Sequence, residues 1–161
     1  MSEEEERSKQ QRFVEEVGLF FEQRGLPRMA GRILGWLLIC DPPHQTASEL
    51  ADALLASKGS ISTITRMLIR LGIIERTGLP GQRRDYFLIK PDAWNAVMKE
   101  SLTKISEFRS LLERGLEMLE GKDSQVKQRL EGMRNLYVFW EREWLAVLER
   151  WEQEKNREIS P

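Results

Sequence analysis

Short hydroxyl side chains and basic side chains are concentrated between residues 57 and 70 of this 161-residue chain. Hydroxyl groups can approach base edges in a DNA groove, and Lys or Arg can bind phosphates or guanine. A second basic group follows in the glycine-containing segment 77–84. These residue types predict a surface that binds double-stranded DNA. Its candidate residues are Thr46, Ser57, Lys58, Ser60, Ser62, Thr63, Arg66, Arg70, Gln82, Arg83 and Arg84.

The position of each residue in a predicted helix, residues 57–71, suggests its role. Ser57 as N-cap and Lys58 beside it suit phosphate contacts, aided by the helix dipole. Arg66, one turn beyond Ser62, can reach a guanine or a phosphate. Arg83 and Arg84 can extend along the minor groove or hold phosphates. The alternative is an ordinary solvated helix face, and the basic segment that follows favours DNA.

Local signals predict the elements that position these residues. Thr46 with Glu49 three residues later is a capping-box pattern, which places a short helix over residues 46–55. The helix 57–71 follows after a tight turn and has an apolar stripe of Ile61, Ile64, Leu68 and Leu71. Two β-type runs, 73–76 and 85–89, flank the loop 77–84. Helix, turn, helix and hairpin in this order predict a winged helix-turn-helix.

The rest of the chain reads as helical, so the predicted fold is mostly α with a small β-hairpin wing. A polar start at residues 2–10 leads to a helix from Gln11 to the Gly25–Pro27 stop, and a buried helix spans Met29 to Cys40. After Pro91, two long helices are separated near Gly121. We therefore expect an N-terminal packing or dimerisation helix in 1–25, the winged helix-turn-helix in 26–90 and a helical dimerisation region in 91–161.

Apolar residues of the last helix recur with 3-4 spacing from Leu130 onward, as in a heptad repeat. Because a DNA-binding core of this size does not need such a seam, we interpret it as an interface between two copies of the chain. An aromatic cage for a cationic ligand, formed by Tyr137, Trp140 and Trp144, is the alternative. The predicted dimer interface comprises Phe13, Val17, Leu130, Met133, Tyr137, Trp140, Trp144, Val147 and Trp151.

The net charge of −1 conceals an uneven distribution. Residues 56–90 carry a net charge of +5, whereas residues 1–55 carry −4 and residues 91–161 carry −2. A net positive charge is thus found only in the predicted helix-turn-helix and its hairpin. That distribution is typical of a phosphate-binding surface. Arg28 and Arg32, one turn apart, could also contact the DNA backbone or could form surface salt bridges.

Several classes of protein are excluded by composition. Cys40 is the only cysteine and His44 the only histidine, so an intrachain disulfide and a Cys/His zinc cluster are impossible. Cys40 is either a redox sensor or, as its apolar flank favours, a buried small side chain. No catalytic constellation, cofactor motif or metal site is recognisable, and neither a signal peptide nor a membrane span is predicted. We expect a cytoplasmic protein that is not an enzyme and has no cofactor.

Three segments carry a resemblance to a known family: Ser57-Lys-Gly-Ser-Ile-Ser62, Leu71-Gly-Ile-Ile74 and Gly81-Gln-Arg-Arg-Asp-Tyr-Phe87. Together with Leu26–Leu37 and Pro91–Trp94, they resemble the GbsR-type branch of the MarR transcriptional regulators. The resemblance implies a homodimeric winged-helix repressor of a pseudo-palindromic operator, with the outer helices pairing the subunits. It also implies that a small-molecule effector is a candidate partner, since some members of that branch respond to choline or glycine betaine.

Three functions are compatible with these patterns. The first is a DNA-binding transcriptional regulator that responds to a ligand or signal. The second is an adaptor in which the winged helix binds protein and the long helices build an assembly. An enzyme is the third and has the least support. The operator, the effector and the choice between repression and activation are not encoded in any recognisable motif.

Overall fold

The computed structural model describes residues 2–159, apart from the side chains of Glu3, Glu158 and Ile159. The chain forms two compact units, the first ending at Ala93 and the second beginning at Trp94. The prediction of a mostly helical fold with a small β wing and long C-terminal helices is confirmed. In chain order the elements are α1 (Glu3–Glu22), α2 (Arg28–Ile39), β1 (Gln45–Thr46), α3 (Ala47–Leu54), α4 (Lys58–Arg70), β2 (Ile74–Gly78), β3 (Asp85–Ile89), α5 (Ala93–Met118) and α6 (Ser124–Ile159).

The sheet has three antiparallel strands in the order β1-β3-β2, not only the two that the sequence predicted. The expected hairpin is formed by β2 and β3, with Ile74 opposite Ile89 and Thr77 opposite Tyr86. The additional strand, β1, pairs with β3 on its other side, where Gln45 lies opposite Phe87. Because β1 directly precedes α3, the sheet ties the start of the helix-turn-helix to the wing.

The first helix begins earlier than predicted. We expected a start near Gln11, because residues 2–10 are polar, but α1 begins at Glu3. Ser2 and Glu5 form a capping box, in which the Glu5 amide donates to Ser2 Oγ at 3.3 Å and the Ser2 amide donates to Glu5 Oε2 at 3.1 Å. The cap satisfies amide groups that the first turn would otherwise leave unpaired.

The core of the first unit is formed by the apolar faces of α2, α3 and α4 against β2. Ile61, Ile64 and Leu68 of α4 are buried, as the predicted inward stripe requires, whereas Leu71, its fourth member, is the C-cap and is half-buried. Packing between α1 and α2 is close at Gly31, where a Cβ atom would lie 2.6 Å from the Val17 carbonyl oxygen. The largest fully buried side chains are Ile33, Leu34, Leu50, Leu54, Ile61, Leu68 and Ile74.

The second unit is an antiparallel pair of helices, and α5 covers one row of the predicted heptad seam. Leu130 packs beside Gly115, and the Tyr137 ring lies 4.8 Å from the Phe108 ring. The indole of Trp144 donates to the Met98 carbonyl oxygen at 3.1 Å. These three seam residues, spaced seven apart, therefore pack within one chain, although we had expected them to pair two copies.

Candidate nucleic-acid interface

The helix α4 presents a polar side opposite its buried apolar stripe. Ser57, Lys58, Ser62, Thr63, Arg66 and Arg70 are exposed, and Ser60 is half-buried. Thr65 belongs to the core instead, because its hydroxyl is buried and donates to the Ile61 carbonyl oxygen at 2.8 Å. The structure thus brings the predicted residues of this helix together on one accessible face.

The N-terminus of α4 is built to attract negative charge. Ser57 is the N-cap in an extended conformation, and its hydroxyl accepts from the Ser60 amide at 3.1 Å. The first turn contains Lys58 and no acidic residue. The helix dipole and this lysine therefore add to each other, as a phosphate contact requires.

Arg66 lies one turn beyond Ser62 on the same face. Its Nε donates to the Ser62 carbonyl oxygen at 3.2 Å, which orients the inner part of the guanidinium along the helix. The two terminal nitrogens are the groups that can reach a ligand. A planar pair of donors on an exposed helix matches the O6 and N7 acceptors of guanine.

The wing presents its own basic residues at the turn between β2 and β3. Gln82, Arg83 and Arg84 are exposed. The Tyr86 hydroxyl lies 2.5 Å from Gln82 Oε1, so one side of the turn is anchored on a buried aromatic residue. Asp85 pairs with Arg76 at 3.4 Å. Among the side chains that the structure describes, no carboxylate lies at ion-pairing distance from Arg83 or Arg84.

Thr46 differs from the other predicted contact residues, because its side chain is only 6% exposed. Its hydroxyl accepts from the Glu49 amide at 3.2 Å, and its own amide donates to Glu49 Oε2 at 2.6 Å. The residue caps α3, so the prediction that its side chain contacts DNA directly has no geometric support. A concave region of about 440 Å³ adjoins it and is also lined by Ser48 and Arg84.

Ser48 is a candidate that sequence reasoning missed. It is exposed at the second position of α3, beside Arg84 in the concave region. The signal was present in the capping box, since residues that follow an N-cap lie at the positive end of a helix. Only the fold could show that the wing arginine comes to the same place.

Arg28 and Arg32 are paired within the protein. Both bind the carboxylate of Glu15 on α1, Arg28 at 2.8 Å and Arg32 at 2.6 Å. Of the two alternatives for Arg28 and Arg32, contact with the DNA backbone or salt bridging, the structure supports salt bridging.

Cys40 lies at the end of α2 and is half-buried. Burial raises the pKa of its thiol, and the nearby carboxylates of Asp41 and Glu49 raise it further. A redox-sensing cysteine needs the opposite environment, one that favours the thiolate. The interpretation as a small buried side chain is therefore the better supported one.

The side chains predicted to pair two copies have different environments. Val17 on α1 packs against the Gly35 position of α2, whereas Phe13 is 38% exposed. On α6, Leu130, Tyr137 and Trp144 pack on α5, as described above. Four further seam residues are accessible, each between 44% and 52% exposed: Met133, Trp140, Val147 and Trp151.

The described residues 2–159 contain no group of three potential metal ligands, and no helix among them is long and apolar enough to cross a membrane. The candidate site is therefore the surface of a winged helix-turn-helix whose helix α4 is basic and rich in hydroxyl groups.

Comparison with known proteins identifies the family. The MarR family profile matches residues 24–85, and the profile of the MmpR5-like MarR family transcriptional regulators matches residues 92–154. The chain is 45% identical over 141 residues to the HTH-type transcriptional regulator MmpR5 of Mycobacterium tuberculosis, covering 88% of this chain and 86% of that protein. The chain belongs to the MarR family of winged-helix transcriptional regulators and is not an enzyme.

Two further relatives agree with this assignment. A crystal structure of a transcriptional regulator is 44% identical and superimposes with a TM-score of 0.74, covering 90% of this chain and 99% of that chain. The putative HTH-type transcriptional regulator YvaV of Bacillus subtilis is 24% identical over 138 residues, which is 83% of this chain and 77% of that protein. The MarR resemblance is thus confirmed, while membership of the GbsR-type branch stays a prediction.

Proposed function

We propose that this regulator is a homodimeric repressor that binds a pseudo-palindromic operator, with α4 in the major groove and the wing on the flanking backbone or minor groove. One observation carries the DNA-binding part of the proposal. Among the described residues, Arg76 of the wing pairs with Asp85, but five other basic side chains of α4 and the wing turn have no carboxylate partner and face solvent: Lys58, Arg66, Arg70, Arg83 and Arg84. Unpaired cations in such a group favour a polyanionic ligand.

The exposed side chains of α4 and the wing have different roles in the proposed recognition of DNA. Ser60, Ser62 and Thr63 are short, so they allow the helix backbone to approach base edges closely. Lys58 at the N-terminus and the wing arginines suit phosphate contacts, which fix the register without reading sequence. Arg66 is long enough to contact a base and carries a pair of donors, so it is our candidate for a specific guanine contact.

Dimerisation is supported by a second row of apolar side chains on α6. Val126, Met133, Trp140 and Val147 recur every seven residues, and each is between 44% and 46% exposed. A row with this period on one helix fits the groove of another helix. A twofold-symmetric dimer would present two copies of α4 to half-sites about one DNA turn apart, roughly 34 Å.

In vitro selection tests the DNA-binding proposal. The full chain is incubated with a random-sequence duplex library, and bound DNA is amplified and sequenced over several rounds. We expect enrichment of an inverted repeat with half-sites about ten base pairs apart. If no sequence is enriched and binding to random duplex is also absent, DNA binding is rejected and the protein-binding adaptor becomes the better explanation.

Two valine variants of α6 test the dimer. Val147 is 45% exposed and Val138 is 42% exposed, and nine residues place them on opposite sides of the helix. Val147→Glu should convert the dimer to a monomer in sedimentation equilibrium, because it places a charge in the proposed interface. Val138→Glu is the matched control and should leave the mass unchanged. A dimer that survives Val147→Glu would move the interface elsewhere, first to the Phe13 side of α1.

Release from DNA by a small-molecule effector completes the proposal. The resemblance to the GbsR-type branch supports it, and the class of ligand is open. Screening for compounds that raise the melting temperature and also lower affinity for the selected duplex would identify an effector.

A further inference from the structure

We propose that Arg32 is a positioning residue that holds the turn between α3 and α4 and thereby sets the direction of the recognition helix. The inference rests on the proposed reading of DNA by α4. Arg32 does not belong to the DNA-contact surface described above. It acts from inside the first unit, on the backbone that leads into α4.

One guanidinium connects three helices. Arg32 projects from α2, and its side chain is 20% exposed. Its Nη2 donates to the Leu54 carbonyl oxygen at 2.7 Å, and its Nε lies 2.6 Å from Glu15 Oε1. Leu54 ends α3 and Glu15 belongs to α1. Arginine suits such a link, because Nη2 can donate to the carbonyl oxygen while the delocalised positive charge pairs with the carboxylate.

The turn that receives this hydrogen bond is unusual. Leu55 has φ +49°, and it is the one non-glycine residue with positive φ in the part of the chain that the structure describes. Its side chain is 83% exposed, so packing of that side chain does not hold the conformation. A leucine keeps a left-handed conformation only where its surroundings impose it. The bond from Arg32 to the Leu54 carbonyl fixes the plane of the peptide that enters Leu55.

Little chain separates this peptide from the recognition helix. The Ala56 amide donates to the Ala51 carbonyl oxygen at 2.9 Å, and Ser57 is already the N-cap of α4. A rotation of the Leu54–Leu55 peptide would therefore change the direction in which α4 leaves the turn. Small changes in that direction affect base contacts strongly and phosphate contacts weakly, since base contacts require closer geometry.

Arg28 provides a matched control. It lies one turn before Arg32 on α2 and binds the same carboxylate, with Nη2 at 2.8 Å from Glu15 Oε2. Its side chain is 45% exposed, and its hydrogen bond goes to Glu15 and not to Leu54. Removing Arg28 deletes an ion pair to α1 and leaves the bond to the turn in place.

The test compares Arg32→Ala, Arg32→Lys and Arg28→Ala with the wild-type chain in two measurements. Affinity is measured for the duplex that the wild type selects and for a scrambled duplex. Hydrogen–deuterium exchange is followed in peptides covering residues 52–60 and in peptides from α2. Arg32→Lys keeps a positive charge near Glu15 but lacks the guanidinium, so it carries the test if Arg32→Ala does not fold.

We expect both Arg32 variants to lower the specific-to-scrambled affinity ratio about tenfold per half-site, the size of one charge-assisted hydrogen bond. Exchange should accelerate in residues 52–60 and not in α2, whereas a merely structural role would accelerate both. Arg28→Ala should change neither measurement by more than about twofold. An unchanged ratio in the Arg32 variants, or an equal effect of Arg28→Ala, would overturn the inference. If the wild type selects no duplex, the proposed function fails, while the exchange measurement still decides whether Arg32 holds the turn.

Discussion

Replacing Arg66 by alanine should weaken operator binding much more than binding to random DNA. Arg66 is exposed on the polar face of α4, and its Nε is held by the Ser62 carbonyl oxygen at 3.2 Å. Its terminal nitrogens are thus presented without an intramolecular carboxylate competing for them. A bidentate contact with a base is worth about 1–3 kcal/mol of discrimination, which is roughly 5- to 150-fold per half-site. The discrimination should relax at one base pair in each half-site.

The wing supplies the contrasting variant. Arg84 is exposed beside Ser48 at the N-terminus of α3, where a phosphate contact is expected. Arg84→Ala should weaken specific and random duplexes nearly alike. Because one phosphate contact disappears from each subunit, the slope of log affinity against log salt should decrease in magnitude by about 1 per subunit.

Fluorescence anisotropy titrations with the selected and scrambled duplexes at two salt concentrations separate these outcomes. Arg129→Ala, which removes one exposed positive charge from α6, controls for net charge and should change neither duplex. If Arg66→Ala leaves the specific-to-random ratio unchanged, α4 reads sequence through Ser60, Ser62 and Thr63 or does not read it at all.

Salt dependence, stability and thiol reactivity can also be predicted from charge, packing and burial. With about four phosphates neutralised by each subunit, the slope of log affinity against log salt should be near −7 for a dimer, and a value shallower than about −2 would contradict the assigned contacts. Gly31→Ala should lower the free energy of unfolding by about 1–3 kcal/mol in chemical denaturation, because the added Cβ would lie 2.6 Å from the Val17 carbonyl oxygen; Gly132→Ala, with no atom within 4 Å, is the control. Since burial raises the pKa of the Cys40 thiol, alkylation by iodoacetamide near neutral pH should be slower in the folded chain than after denaturation.

The helix-turn-helix could be predicted from the sequence because its signals are local. The Thr46–Glu49 capping box fixed the start of α3, and the apolar period of Ile61, Ile64 and Leu68 fixed the inner face of α4. The polar face of α4 then followed from helical geometry alone. The candidate contact residues of this helix were accessible to sequence reasoning for the same reason.

The features that were missed depend on partners distant in the chain. The strand β1 has two residues, and only its pairing with Tyr86 and Phe87 makes it a strand. From the sequence, Thr46 is expected to be an accessible polar residue. In the structure it is buried, and it pairs with Tyr86 in the same sheet. The link from Arg32 to Leu54 spans 22 positions and ends on a backbone carbonyl, for which no residue type gives a signal.

The seam on α6 shows what a periodic pattern leaves undetermined. A 3.5-residue repeat requires apolar neighbours for two adjacent rows of side chains, but it does not specify which chain supplies them. In this protein α5 covers the row of Leu130, Tyr137 and Trp144, and the row that contains Val147 stays accessible. Substitutions in the covered row should therefore destabilise the helical pair itself, whether or not a second copy binds. Only the accessible row can distinguish association from folding, which is why the Val147 variant tests the dimer and a Trp144 variant would not.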